Sequence, residues 1–210
     1  MQGCVPHKPF YSCGSGWQIP ERQTGTYVKE EKLCTAVKQQ AMNMVEKIVF
    51  EPLADSHRQV VIRIFNHYVM NGTAAFSDAE LPESFYPHIL ERVKGYPAYA
   101  VVDCRTGEVV GFCFLSAYKP VPTFRETATV TYFIAPSHLG RGIGRMCLGR
   151  LEEDAVKQGI RHIIAEISSE NEQSMSFHAS QGFIHAGRLK NIGFKLGRTF
   201  DIIYMQKEIK

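Results

Sequence analysis

Residues 139–145 read Leu-Gly-Arg-Gly-Ile-Gly-Arg, three glycines alternating with larger side chains, two of them arginine. Glycine lets bare backbone N–H groups approach an anion closely. Ahead of the loop, Thr127–Ile134 is a β-branched and aromatic run, stopped by Pro136. Behind it, Leu148, Leu151 and Ala155 mark one face of a helix that ends at Gly159. Strand, glycine loop and helix together aim unpaired N–H groups and the positive end of a helix dipole at one spot. Arg141 and Arg145 add formal charge there. The chemistry expected is the binding of a phosphate or pyrophosphate.

The type of phosphate ligand is narrowed by spacing. A nucleotide-hydrolase P-loop ends in Gly-Lys-Ser/Thr, whereas Gly144 is followed by Arg145-Met146. A dinucleotide fingerprint needs a third glycine, but Cys147 or Arg145 stands where it would fall. Glu166 lies near the place of a ribose-binding acid, yet that fingerprint normally opens a domain and this loop lies past the middle of the chain. On spacing alone, a glycine-rich turn carrying solvated arginines also stays open.

Other elements must position this loop. Residues 1–44 are punctuated by Pro6, Pro9, Gly14, Gly16 and Pro20 and lack a sustained apolar period; they are expected to be an extension, with a short helix near 30–44. The domain is expected over residues 45–210. It starts with a strand from Lys47 to Pro52, then a helix capped by Asp55 with Val61, Ile64, Phe65 and Tyr68 on one face, ending at Asn71-Gly72. A second helix is expected over Pro82–Lys94, with strands over Ala98–Asp103 and Val109–Tyr118. After the loop and its helix come a strand over Arg161–Ser168 and a helix over Asn171–Gln181. A closing hairpin is expected over Phe183–Gly193 and Thr199–Lys207, turning at Lys195–Arg198.

Composition excludes several classes. The chain has 210 residues, 44% of them apolar, which is enough for one domain with a sizeable core. A net charge of +3 without a Lys/Arg block gives no support to nucleic acid or a membrane surface as partner. No apolar run reaches the length of a membrane span, and no secretory leader pattern opens the chain, so a cytoplasmic protein is expected. Six cysteines include no C-x-x-C pair, so no metal site is expected. Cys104, Cys113 and Cys147 fall in the domain and are read as reduced thiols.

The glycine loop and the segments C-terminal to it resemble the GNAT superfamily of N-acetyltransferases, whose signature Q/R-x-x-G-x-G/A comes after a strand and opens a helix. Gly142 and Gly144 match; Leu139 departs from the Gln/Arg position. Asn171-Glu172-Gln173-Ser174-Met175-Ser176-Phe177-His178, then Gln181-Gly182-Phe183, is similar to the family's second signature. The tail from Gly187-Arg188 through Asn191–Arg198 to Phe200-Asp201 resembles the phosphinothricin-acetyltransferase-like branch. The resemblance covers roughly residues 47–209. It implies an α/β fold with a mixed, mainly antiparallel central sheet and helices on both faces. It also implies acetyl coenzyme A as cosubstrate and transfer of its acetyl group to the primary amine of a small molecule, an amino acid or analogue.

The resemblance also assigns residues. The pantetheine arm is expected along the backbone of Phe133 and Ile134. The pyrophosphate is expected on Leu139, Gly140, Arg141, Gly142, Ile143, Gly144 and Arg145, with Asn171 and Ser174 beside the arm. Asn171 also suits a helix N-cap. His178 stands where relatives place a group that protonates the thiolate, and its pKa range suits that task. The branch's basic glutamate aligns with Thr129, whose hydroxyl is too weak a base. Proton removal is therefore expected through ordered water, or by Glu126 if a bulge turns it to the same face. Phe76 and Arg125 are expected on the acceptor side, with Lys119, Phe124 and residues 73–76. The rivals are a peptide-acetylating enzyme, with the loop 118–125 shaping its groove, and a coenzyme-A-binding module that has lost its base. A small amine is the expected partner, and a homodimer is compatible with the reading.

Overall fold

The computed structural model describes residues 48–210. The expected extension over 1–44, its helix and the first residue of the opening strand lie outside the described residues. Seven strands form one sheet: β1 Ile48–Pro52, β2 Ala98–Asp103, β3 Glu108–Ala117, β4 Thr127–Ile134, β5 His162–Ser168, β6 Ile184–Lys195 and β7 Arg198–Glu208. Their order is β1-β2-β3-β4-β5-β7-β6. Every neighbouring pair is antiparallel except β4 and β5, which run parallel. The expected mixed, mainly antiparallel sheet is therefore observed.

Period-two alternation in the strands builds two cores. On one face, helices α1 (Arg58–Met70) and α2 (Tyr86–Arg92) bury Val61, Ile64, Tyr86 and Ile89 against Phe112 and Phe114. Phe133 completes this layer, its ring centroid 5.6 Å from that of Phe112 and 5.3 Å from that of Phe65. On the opposite face, helix α3 (Ile143–Lys157) buries Cys147, Leu148, Leu151 and Ala155 against Val110, Cys113, Leu115, Val130 and Ile163. Helix α4 (Glu172–Ser180) lies on the same side, with Met175 and Phe177 packed against that core. Cys113 and Cys147 are both buried, and burial pushes the Cys113 thiol pKa up. Cys104 is exposed.

Two of three local expectations differ from the structure. Asp55 does not cap α1; it opens a 3₁₀ turn, Asp55–His57, and its carboxylate meets Arg58. The expected second helix divides into a 3₁₀ turn, Glu83–Phe85, and the shorter α2. Proline supplies the reason: Pro82 precedes the turn in an extended conformation, and Pro87, without an N–H, fits only the first turn of α2. The closing hairpin turns where expected, with Leu196 at φ 53° and Gly197 at φ 75° between the paired Lys195 and Arg198. Two consecutive left-handed residues are what a tight type I′ hairpin requires.

Gly111 of β3 pairs with Ile134 of β4, and no side chain fits there. A Cβ at 111 would stand 2.7 Å from Cδ1 of Ile134 and 2.8 Å from the carbonyl oxygen of Phe133. Gly111→Ala should therefore force β3 and β4 apart. An overpacking cost of about 1–3 kcal/mol is expected in denaturant unfolding. Unchanged stability would show that the strands part without strain.

Candidate active site

Strands β4 and β5 pair only at their beginnings. Thr127, Ala128 and Thr129 stand opposite His162, Ile163 and Ile164, and the ladder stops there. From Val130 onward β4 has a partner only on its β3 side. The register decides which backbone groups are left over. The Ala135 N–H donates to Val110 O at 2.8 Å, so the residues of β4 that exchange bonds with β3 are the odd ones, Phe133 included. Glu126 O, an even residue, accepts instead from the first residues at β5, Arg161 and His162. By the same alternation the main-chain groups of Tyr132 and Ile134 face the gap. Of the expected Phe133 and Ile134, Ile134 faces the gap, and Tyr132 stands there in place of Phe133, whose backbone is committed to β3.

The gap opens into a cavity of about 1200 Å³ that runs from the glycine loop to the segment after α1. At its loop end, Gly140 and Gly142 adopt φ 73° and 77°, and Gly142 is the N-cap of α3. The first bond within the helix is from Met146 N–H to Gly142 O at 3.2 Å. The amides of Ile143, Gly144 and Arg145 therefore lack intrahelical acceptors at the positive end of the helix dipole, and all three residues line the cavity. Leu139 and Gly140 line it too. Arg141 does not: its guanidinium turns back to donate to Ser137 O at 2.8 Å. Of the two loop arginines, Arg145 is the one at the cavity.

Asn171 caps α4, its side-chain oxygen accepting from Ser174 N–H at 3.0 Å. The amide nitrogen of that side chain is left for another acceptor, and both residues line the cavity. His178 lies deeper and is 3% exposed. Its Nδ1 donates to Ser174 O at 2.8 Å, which leaves Nε2 as the acceptor of the Tyr132 hydroxyl at 2.5 Å. Burial lowers the His178 pKa and raises that of Tyr132, so both stay neutral near pH 7. In this arrangement the imidazole has no proton to give the cavity. It anchors the side chain of the residue whose backbone faces the gap.

The acceptor end is built from the segment after α1 and the ends of β5 and β7. Thr73 Oγ1 accepts from Ser168 Oγ at 2.8 Å and donates to Glu170 at 3.3 Å. Arg198 closes on Glu170 at 2.6 Å and holds its carboxyl pKa below the usual range. Lys195 donates to Ala75 O at 2.7 Å, fixing the same segment from β6. Phe76 stacks on Phe200 and lines the cavity, as do Thr129 and Glu166. Sequence reasoning missed the Thr73–Glu170–Arg198 network and the placement of Tyr132 and Glu166. For Glu166 a signal existed: it is the carboxylate in an otherwise apolar alternation from Ile163 to Ile167.

Four expected residues stand elsewhere. Arg125 and Glu126 sit at the start of β4 and pair with each other at 3.5 Å in exposed positions. Six residues of strand separate Glu126 from Tyr132, about 20 Å at ~3.3 Å per residue. Glu126 borders instead a separate depression with Arg161 and Glu208. The loop that carries Lys119 and Phe124 folds on itself there, Lys119 lying over the rings of Tyr118 and Phe124, and none of these residues lines the cavity. Alternation reports a strand's faces but not which end of the strand meets the gap, so it could not place them.

Known proteins share this sequence pattern and this fold. The acetyltransferase (GNAT) family pattern matches residues 61–183. A phosphinothricin N-acetyltransferase of Alcaligenes faecalis is 32% identical over 74% of this chain and 79% of its own. An L-methionine sulfoximine/L-methionine sulfone acetyltransferase of Salmonella typhimurium is 28% identical over 71% of this chain and 87% of its own. The crystal structure of a phosphinothricin acetyltransferase from Sinorhizobium meliloti, in complex with acetyl coenzyme A, superposes with a TM-score of 0.73 at 26% identity. That match covers 78% of this chain and 89% of the other. With this sheet, this gap and this glycine loop, the chain belongs to the GNAT family of acetyltransferases.

Proposed function

We propose that this acetyltransferase moves the acetyl group of acetyl coenzyme A to the primary amine of a small amino acid or analogue, of the phosphinothricin or methionine-sulfone kind. The observation that carries the reading is the loss of β4–β5 pairing after Thr129, which leaves the backbone of Tyr132 and Ile134 facing a cavity. In the reading, the amides from Gly142 to Arg145 hold the pyrophosphate, with the Arg145 side chain beside them. The pantetheine amides pair with the gap-facing backbone and with the Asn171 side-chain amide. Tyr68 donates to Ile134 O at 2.5 Å, so Ile134 offers mainly its N–H. The N–H of Tyr132 is the donor for the thioester carbonyl, where negative charge develops on attack.

The acceptor enters from the Thr73–Phe76 side. The names of relatives support an amino-acid-like amine. Support for a peptide groove shaped by the loop 118–125 falls away, since that loop is at the other end of β4. An acceptor screen following free-thiol release tests the choice across amino acids, methionine sulfone and sulfoximine, phosphinothricin, polyamines and peptides. Turnover is expected with the amino-acid analogues. Turnover confined to peptides would contradict the small-molecule reading.

The coenzyme site has its own test. Gly142 is held at φ 77° with open space where a Cβ would project. Gly142→Val places a β-branched residue in a conformation it rarely adopts and fills the anion cradle. Coenzyme A affinity measured by calorimetry should fall at least about tenfold, the equivalent of ~1.4 kcal/mol. Unchanged affinity in a folded variant would remove the pyrophosphate from this loop.

A further inference from the structure

An amine that attacks a thioester must lose a proton, and neither residue considered for that task from the sequence serves it. Thr129 has no basic group, and Glu126 is at the far end of its strand. We propose that Glu166 on β5 is the general base. This rests on the acetyltransferase reading above and adds the residue that accepts the proton.

Placement carries the proposal. Ile163, Ala165 and Ile167 of β5 are buried in the core beneath α3. Ser168 faces the other way, since its hydroxyl bonds Thr73. Glu166, two residues earlier, shares that acceptor-side face. Thr129 is the last residue of β4 paired with β5, opposite Ile164. Two residues further along each parallel strand, Thr131 and Glu166 stand across the gap from one another, and both line the cavity. Thr131 directly precedes Tyr132, whose N–H is the donor for the thioester carbonyl. The carboxylate is thus on the acceptor side of the reacting carbonyl, where an attacking nitrogen must approach.

The surroundings leave this carboxylate available. Among the described residues Glu166 has no hydrogen bond or ion pair, and it is exposed to the cavity. The other acceptor-side carboxylate, Glu170, is held by Arg198 and Thr73. Opposite Glu166 on β7 stands Tyr204, whose phenol is kept protonated by burial and by the Glu166 charge. His88 and Arg92 of α2 line the same cavity.

The step balances without another reactant. The amine lone pair forms the N–C bond, and the carbonyl pair moves to oxygen beneath the Tyr132 N–H. The nitrogen, now cationic and acidic, gives one proton to Glu166. The oxyanion's pair returns to re-form the C=O bond as the C–S bond breaks, its electron pair going to sulfur. The thiolate takes up that proton through water, leaving amide, free thiol and an ionised Glu166.

Steady-state kinetics with L-methionine sulfone, or with the best acceptor of the screen, test the proposal. Glu166→Gln should lower kcat at least about 100-fold near neutrality, the lower bound for a lost general base, with KM and coenzyme A affinity little changed. Its rate should keep climbing with pH where the wild-type rate has levelled. Glu166→Ala should regain activity with added formate, a rescue that a purely structural role would not give. An active wild type and a Glu166→Gln variant with the same kcat and pH profile would overturn the base assignment alone. A raised KM with unchanged kcat would also overturn it, making Glu166 a counter-ion for the substrate ammonium. A wild type inactive on every amine would overturn this proposal together with the acetyltransferase reading beneath it.

Discussion

Parallel pairing between β4 and β5 ends at Thr129 and Ile164, and the functional architecture depends on that parting. A backbone N–H or C=O inside a protein must find a partner, and strands normally provide it for each other. Here the two central strands stop doing so, and a cavity takes the place of the partner strand. The gap-facing groups of Tyr132 and the N–H of Ile134 are left without the bonds that β5 would have made, while Ile134 O is taken by Tyr68. In the proposed reading this is strand addition on a small scale, with a pantetheine arm as the added strand.

The rest of the molecule keeps that gap open and furnished. Phe133, packed among Phe65, Tyr68 and Phe112, pins β4 to the α1–α2 layer. Gly111 lets β3 approach closely from the other edge. The Tyr132 hydroxyl, anchored by His178, ties the middle of β4 to α4, and Asn171 caps that helix at the cavity. At the loop end, two left-handed glycines end the turn at the first amides of α3. Each of these contacts is a local solution to packing or polar satisfaction. In the proposed reading, together they fix where a phosphate, an amide chain and an acyl carbonyl lie.

Much of this was legible in the sequence. The bounds of β2 and β4, the glycine loop, the inner face of α3 and the Leu196-Gly197 turn come from alternation, helical period and turn chemistry, which are local signals. The residues assigned along β4 from the resemblance stand differently. Arg125 and Glu126 lie at the strand's opposite end, and Phe133 turns its backbone to β3. Those facts depend on the pairing of Gly111 with Ile134 and on where β5 diverges, which are long-range. Glu166 escaped for the same reason: its importance comes from a neighbour on β4, thirty-five residues away in sequence. His178 is expected as an acid from the family's pattern and its pKa range, but the Ser174 carbonyl and the Tyr132 hydroxyl occupy both its nitrogens.

Backbone amide exchange measured residue by residue, with and without acetyl coenzyme A, tests the central claim most directly. Acetyl coenzyme A should slow exchange at Tyr132 and Ile134, while Phe133, already bonded to β3, stays as protected as before. Protection that leaves Tyr132 and Ile134 unchanged would contradict the claim that the acyl donor completes the parted strands.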